Sequence, residues 1–92
     1  MKKLITGDEL IDFTRQISSK EEFDFFLECL IQDYVDNRDE WENTDLLSYL
    51  EGLSGFVSDM EGYYNNMAEK IDVNSITWPI AAQMLIAASI YE

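Results

Sequence analysis

The longest helical pattern in the chain lies at residues 46–67, which have the sequence LLSYLEGLSGFVSDMEGYYNNM. Its large apolar residues recur at alternating steps of four and three, the spacing of a heptad seam; they are Leu46, Leu50, Leu53, Val57, Met60, Tyr64 and Met67. Glycines within the segment each cost up to about 1 kcal/mol relative to alanine, yet the spacing continues through them. The pattern therefore predicts a helix over about 44–67, with Gly52 and Gly55 placed to allow a close crossing with another helix.

Two helices are predicted before this segment. Ser19 opens a capping box of the Ser-x-x-Glu form. Apolar residues follow it at helical spacing and predict a helix over about 20–36; they are Phe23, Phe26, Leu27, Leu30, Ile31 and Tyr34. Thr6 opens a second box of the same form and predicts a shorter helix over about 7–17.

The last predicted helix covers about 78–91, where Thr77 can cap it and Pro79 lies in its first turn. It is apolar nearly all round, so it is expected to be the most buried helix. The aromatic residues expected in the core are Phe13, Phe23, Phe26, Phe56 and Trp78. No segment alternates apolar and polar residues as a half-buried strand does. The expected fold is all-α, a compact bundle of about four helices in one domain of residues 1–92; the helices lie at about 7–17, 20–36, 44–67 and 78–91.

The composition excludes several classes of function. The 92 residues include 6 basic and 19 acidic side chains and no histidine, a net charge of −13. Such a charge repels the phosphates of nucleic acids and of anionic membranes, so neither nucleic-acid nor membrane binding is expected. The longest uncharged stretch, residues 73–91, contains polar side chains and predicts a core helix rather than a membrane span. Because no secretory signal is found and Cys29 has no disulfide partner, the expected location is the cytoplasm.

The sequence offers no residues suited to catalysis near neutral pH. It lacks histidine, and Cys29 lies in an apolar run that predicts a buried side chain rather than a nucleophile. The glycines of residues 46–67 are not followed by the Lys-Ser/Thr of a phosphate-binding loop. Pairs of carboxylates such as glycosidases use occur by chance among 19 acidic residues. We therefore expect a protein that is not an enzyme and has no catalytic residues and no cofactor.

A divalent cation is the remaining small ligand that the carboxylates suggest. The acidic side chains that would hold it are Asp33, Asp36, Asp39, Glu40 and Glu42. A calcium loop of the EF-hand type needs glycine at its sixth position, where this segment has Arg38 or Trp41. The motif fails in both registers, so no metal site is expected.

The negative charge is concentrated in residues 33–45, which hold six acidic residues and Arg38, a net charge of −5. The favoured interpretation of Trp41 is that it folds back on the bundle with its indole N–H paired, because tryptophan is usually buried. The alternative is an exposed aromatic anchor for a basic partner. Tyr64 lies on the seam and is expected in the core, whereas Tyr63 lies off it and is expected at the surface. The candidate partner-binding residues are Asp36, Asp39, Glu40, Trp41, Glu42 and Tyr63.

Two functions from different classes remain open. An acidic surface that repels itself favours binding to a positively charged protein, so the first is a non-catalytic interaction module of the immunity or inhibitor type. The second is a structural domain that self-associates, because the seam of residues 46–67 could pair with the same seam of a second copy and form a homodimer. A divalent-cation-binding domain is a third alternative, which the loop motif does not support.

A series of short motifs runs through about residues 40–92. They are Trp41-Glu42-Asn43, Leu46, Tyr49-Leu50-Glu51, Glu61-Gly62-Tyr63-Tyr64-Asn65-Asn66, Trp78, Ala87-Ala88 and Tyr91-Glu92. Together they resemble a bacterial family of short proteins catalogued only as a domain of unknown function. The resemblance implies a stand-alone bacterial cytoplasmic protein with no established activity, and it supports the fold more than any function.

Overall fold

The computed structural model describes residues 3–91 and shows an all-α fold. Its α-helices are α1 (Gly7–Phe13), α2 (Lys20–Asp36), α3 (Leu46–Asn66) and α4 (Trp78–Ala88), and short 3-10 turns cover Thr14–Gln16 and Arg38–Glu40. The predicted bundle of about four helices is confirmed, and these described residues contain no strand. Helix α1 is shorter than predicted because the first 3-10 turn follows it directly. None of the helices between residues 3 and 91 has the length and hydropathy that a membrane crossing requires.

Side-chain caps begin three of the helices, and two of these caps, Ser19 and Thr77, are the predicted ones. Each cap accepts a hydrogen bond from the backbone N–H three residues later; the caps are Ser19, Asp45 and Thr77. The predicted capping box at Thr6 is wrong, because the Thr6 side chain makes no cap hydrogen bond. The Gly7 N–H donates instead to the Asp33 carboxylate of α2, at 2.8 Å. A contact from another helix therefore replaces the local cap of α1.

Helix α4 lies at the centre of the fold. It packs against α3, α2 and the Thr14–Gln16 turn, while α1 packs against α2. Its residue Ala88 is fully buried, in keeping with the nearly all-apolar sequence of the helix. The buried side chains form two clusters, one that includes Phe26 and one that includes Phe56. Cys29 is fully buried in the first cluster, as predicted.

The heptad seam predicted for α3 coincides with its buried face only in part, at Met60 and Tyr64. The buried residues of α3 lie at steps of four; they are Gly52, Phe56, Met60 and Tyr64. The seam positions that are exposed are Leu46 at 74%, Leu50 at 49%, Val57 at 42% and Met67 at 52%. An α-helix has 3.6 residues per turn, so a seam that repeats every 3.5 residues drifts slowly around the helix surface. Helix α4 covers the side of α3 on which Gly52 lies. The N-terminal part of the seam is therefore open to solvent.

Gly52 lies where α3 meets the end of α4. A Cβ atom at this position would lie 2.5 Å from the carbonyl oxygen of Ala88 and 2.5 Å from Nδ2 of Asn43. A Cβ atom at Gly55 would lie 3.1 Å from the ring of Tyr91. The predicted close crossing is confirmed at Gly52, because any side chain there would push the two helices apart.

Trp78 is more exposed than predicted. It was expected in the core, but 40% of it is exposed, and its ring lies beside that of Phe23 with the centroids 5.1 Å apart. Phe26 and Phe56 are buried as predicted, and Phe13 is half-buried. Because Trp78 is the first residue of α4, it lies at the edge of the bundle and is covered on one side only.

Candidate functional site

The segment between α2 and α3 is anchored by the carboxylate of Asp33. Its Oδ1 accepts hydrogen bonds from the Gly7 N–H at 2.8 Å and from Nδ2 of Asn37 at 2.9 Å, and its Oδ2 accepts one from Nε1 of Trp41 at 2.8 Å. Partial burial is the largest single influence on the pKa of Asp33 and raises it, but the three hydrogen bonds together outweigh it and hold the pKa below its ordinary value. The carboxylate therefore stays ionised at neutral pH and joins α1, α2 and the connecting segment.

Trp41 packs against the bundle rather than projecting from it. Its ring meets Tyr34 edge-on, with centroids 5.1 Å apart, and stacks on Tyr49 at 5.9 Å. The side chain is half-buried and its indole N–H is paired with Asp33, which confirms the favoured interpretation. The guanidinium of Arg38 lies over the Tyr34 ring, 4.4 Å from its centroid. Arg38 is the one basic residue within residues 33–45, and it is thus held against the Tyr34 ring that also contacts Trp41.

The residues after the indole close the C-terminal end of α4. The Asn43 side chain donates from Nδ2 to the carbonyl oxygens of Ala88, at 2.8 Å, and Tyr91, at 2.9 Å. The backbone N–H groups of Glu42 and Asn43 both donate to the carbonyl oxygen of Ser89, each at 2.9 Å. These bonds satisfy carbonyl groups that a helix end leaves without partners. The Trp-Glu-Asn motif therefore holds the fold together. Glu92, the last residue of the motif series found in the sequence, lies outside the described residues.

A groove opens between α2 and α3 beside the Trp41 ring. We call it the α2–α3 groove; it has a volume of about 290 Å³ and is lined by Leu30, Ile31, Tyr34, Trp41, Asn43, Thr44, Asp45, Leu46 and Tyr49. On α2, Ile31 is 66% exposed, and Val35, one turn further along, is 61% exposed. On α3, Leu46 and, one turn along, Leu50 are the exposed seam residues described above. Both walls of the groove therefore present large aliphatic side chains to solvent.

These exposed aliphatic residues were not among the predicted candidates. Helical spacing placed Ile31 on the apolar face of α2 and Leu46 on the seam of α3, but it did not show whether another helix covers either residue. One signal in the sequence could have identified them. Both helices carry more large apolar residues than one buried face of a helix holds, so some of them had to remain exposed.

The predicted acidic candidates are exposed but do not converge on one point. Asp45, which is not one of the predicted candidates, lines the groove. A hydrogen bond from the Ser48 N–H lowers the pKa of its carboxyl. Glu40 lines a separate cleft of about 110 Å³ together with Trp41. The other exposed candidates on this segment are Asp36, Asp39 and Glu42. Across residues 3–91, no three acidic or cysteine side chains are placed to hold a metal ion.

Residues 33–45, which we call the acidic segment, carry carboxylates that have no lysine or arginine partner among residues 3–91. Within residues 3–91 an ion pair joins Arg15 to Glu69, at 2.6 Å, and neither of these residues belongs to the acidic segment. Arg38 lies over an aromatic ring instead. The local excess of negative charge around Trp41 is therefore not neutralised by the described part of the chain.

Tyr63 does not share a surface with Trp41. It is 44% exposed, as predicted, while its neighbour Tyr64 is buried, also as predicted. Tyr49 stacks on Trp41, and Tyr63 lies fourteen residues further along α3, which is about 21 Å along the helix axis. Tyr63 lines a different cavity, of about 220 Å³, which includes Ile90 from the turn after α4. The structure thus separates Tyr63 from the other candidates.

Comparison with known proteins identifies a family but no characterised relative. Residues 19–92 match a family of unknown function, DUF7660. No curated protein and no solved structure matches the chain. The match covers α2, α3, α4 and the connecting segment that contains Trp41. The chain therefore belongs to DUF7660, a family of unknown function.

Proposed function

We propose that the protein is a non-catalytic interaction module that binds a positively charged protein partner at the α2–α3 groove. The observation that carries this proposal is the exposure of large aliphatic side chains on both walls of the groove, Ile31 on α2 and Leu46 on α3. Contiguous exposed apolar surface bordered by polar groups is typical of protein-binding sites. The same side chains would be covered by the apolar part of a partner.

The charge of the surrounding segment indicates the sign of the partner. Residues 33–45 carry a net charge of −5, and their carboxylates have no cationic partner within residues 3–91. A chain with a net charge of −13 repels itself, and a cationic partner relieves that repulsion while its approach is accelerated at low salt. An immunity or inhibitor protein for a basic enzyme has this kind of surface.

The carboxylates of Asp45 in the groove and Asp33 beside it are poorly suited to act as general acids. A general acid that works near neutral pH needs a raised pKa. Hydrogen bonds hold the pKa of Asp33 and of Asp45 below the ordinary value, which is the opposite direction. This supports a binding role for the site rather than an enzymatic one.

The proposal is tested by cross-linking the tagged chain to its partners in the source cell, identifying them by mass spectrometry, and measuring the affinity of each purified partner. We expect a basic protein whose affinity falls by at least about tenfold between low and high salt. Ile31→Ser and Leu46→Ser should each weaken this complex by about the same factor or more. Salt-insensitive binding that tolerates both substitutions would overturn the proposal.

Two matched controls belong to this experiment. Ile76→Ser removes a side chain that is 53% exposed and lies outside the groove, so it should leave the affinity unchanged. Asp39→Lys with Glu42→Lys should weaken binding more than Glu21→Lys with Glu61→Lys, because all four residues are exposed and both pairs change the net charge equally. Equal effects of the two pairs would show that only the total charge matters.

Self-association is the second candidate function. The exposed seam residues of α3, Leu46 and Leu50, would be covered if α3 paired with α3 of a second copy. Because two copies repel each other at a net charge of −13, a dimer formed this way should become more stable as salt screens that repulsion. Sedimentation equilibrium at low and high salt separates the candidates, since binding to a basic partner weakens with salt. A monomer at all salt concentrations excludes self-association.

A further inference from the structure

We infer that the α2–α3 groove receives a single amphipathic helix that carries lysine or arginine beside its apolar ridge. The inference rests on the proposed function and specifies the partner of that same site.

The groove has little left with which to bind an extended peptide backbone. Four of the five side chains in its lining that carry a donor already use it within the protein, the Thr44 hydroxyl being the fifth: Tyr34 OH donates to the Thr44 carbonyl at 2.7 Å and Tyr49 OH to the Leu85 carbonyl at 2.7 Å. The donors of the Trp41 indole and the Asn43 amide are also engaged, as described above. No strand edge is available in residues 3–91 to extend a sheet. A helix satisfies its own backbone groups and needs none of these donors.

The spacing of the exposed side chains suits a helix as the occupant. Ile31 and Val35 lie one turn apart on α2, about 6 Å along its axis, and Leu46 and Leu50 have the same spacing on α3. Residues four apart form the ridges that pack into the grooves of a neighbouring helix. Because α3 packs mainly against α4, while α2 packs against both α1 and α4 and has few contacts with α3, the space beside Trp41 is open to a further helix.

The carboxylates in and near the groove indicate the charge of the side chains that flank the ridge. Asp45 lines the groove at the start of α3, and Glu28 is exposed on α2, one turn before Ile31 and outside the groove lining. A helix with an apolar ridge and adjacent lysine or arginine would place cations beside both carboxylates while its aliphatic side chains cover Ile31 and Leu46. The long stems of lysine and arginine would add to this apolar contact.

The test is a selection from a displayed library of random peptides of about 16 residues, long enough to form several helical turns. The target is the full chain with Trp78→Phe, so that Trp41 emission reports occupancy of the groove. We expect enriched peptides with apolar residues at helical spacing and an excess of lysine and arginine. A proline in the middle of such a peptide, or Ile31→Ser or Leu46→Ser in the protein, should reduce its affinity by at least about tenfold. Ile76→Ser should not, and circular dichroism checks that each variant is folded.

The possible failures separate this inference from the proposed function. Basic peptides that tolerate the central proline but lose affinity with Ile31→Ser would overturn the helix and leave the basic partner in place. Enrichment of acidic or uncharged peptides at the groove would contradict both. Binding that tolerates Ile31→Ser and Leu46→Ser, or the absence of any enriched peptide, would overturn this inference, while the salt dependence of the cross-linked partner decides the proposed function independently.

Discussion

The indole Nε1 of Trp41 donates a hydrogen bond to Oδ2 of Asp33 at 2.8 Å, across eight residues and from the connecting segment to α2. The same carboxylate accepts from the Gly7 N–H, so one side chain fixes the start of α1 and the position of Trp41. The indole in turn contacts Tyr49 of α3 and forms part of the α2–α3 groove. The Asp33–Trp41 hydrogen bond therefore holds the Trp41 ring in place as part of the groove lining.

Trp41→Ala is expected to destabilise the fold by about 3 kcal/mol, because it removes the packing with Tyr34 and Tyr49 and leaves Asp33 with one donor fewer. Urea unfolding followed by circular dichroism measures this change. Trp78→Phe is the matched control and should cost less than about 1.5 kcal/mol, since it keeps a ring beside Phe23. If Trp41→Ala were as stable as the control, the indole would not support the fold.

Asp33→Asn is expected to change how stability depends on pH. Because the pKa of Asp33 is lower in the folded chain than in the unfolded one, ionised Asp33 stabilises the fold above the unfolded pKa of about 4, and this stabilisation is lost as pH falls through the folded pKa. The difference in unfolding free energy between the natural chain and Asp33→Asn should therefore be largest near pH 7 and shrink below about pH 4. Urea titrations at several pH values measure it. A constant difference from pH 7 to pH 2 would contradict the proposed role of the carboxylate.

Gly52→Ala and Gly62→Ala should have opposite effects on stability. A Cβ at Gly52 meets the Ala88 carbonyl and the Asn43 amide at 2.5 Å each, so we expect a loss of about 2 kcal/mol or more. A Cβ at Gly62 meets nothing within 4 Å, so the same substitution there should stabilise α3 by about 0.5–1 kcal/mol. Thermal and urea unfolding report both values. Equal effects at the two positions would show that α3 and α4 do not approach each other as described.

Asn43→Ala should loosen the end of α4. It removes two hydrogen bonds to the Ala88 and Tyr91 carbonyl oxygens, a loss of about 1–3 kcal/mol. Hydrogen exchange measured by mass spectrometry should quicken over the last turn of α4 and the residues that follow it. Asn66→Ala, at an exposed position at the end of α3, is the control and should leave exchange in α4 unchanged. Unchanged exchange in Asn43→Ala would mean that the motif does not close the helix.

Local sequence features predict the helices well and the candidate site poorly. The bounds of α2 agree with the prediction because the Ser19 cap and the apolar spacing after it act within a few residues of each other. At Thr6 the same local signal fails: its side chain makes no cap hydrogen bond, and the start of α1 is held instead by the Gly7 N–H, which donates to the Asp33 carboxylate of α2. The groove residues Ile31 and Leu46 were not among the predicted site residues, since helical spacing shows that a residue is apolar but not which neighbour covers it.

The amino-acid sequence by itself determined the all-α class, the helix starts at the Ser19 and Thr77 caps, the burial of Cys29 and the concentration of negative charge around Trp41. These properties depend on composition and on interactions within one helical turn. Only the tertiary structure decided which face of α3 is buried, because that depends on where the short helix α4 lies and on Gly52 admitting its end. It also decided that Trp41 lines a groove rather than projecting as an anchor, since its partners Asp33, Tyr34 and Tyr49 come together only when α2 and α3 are in place.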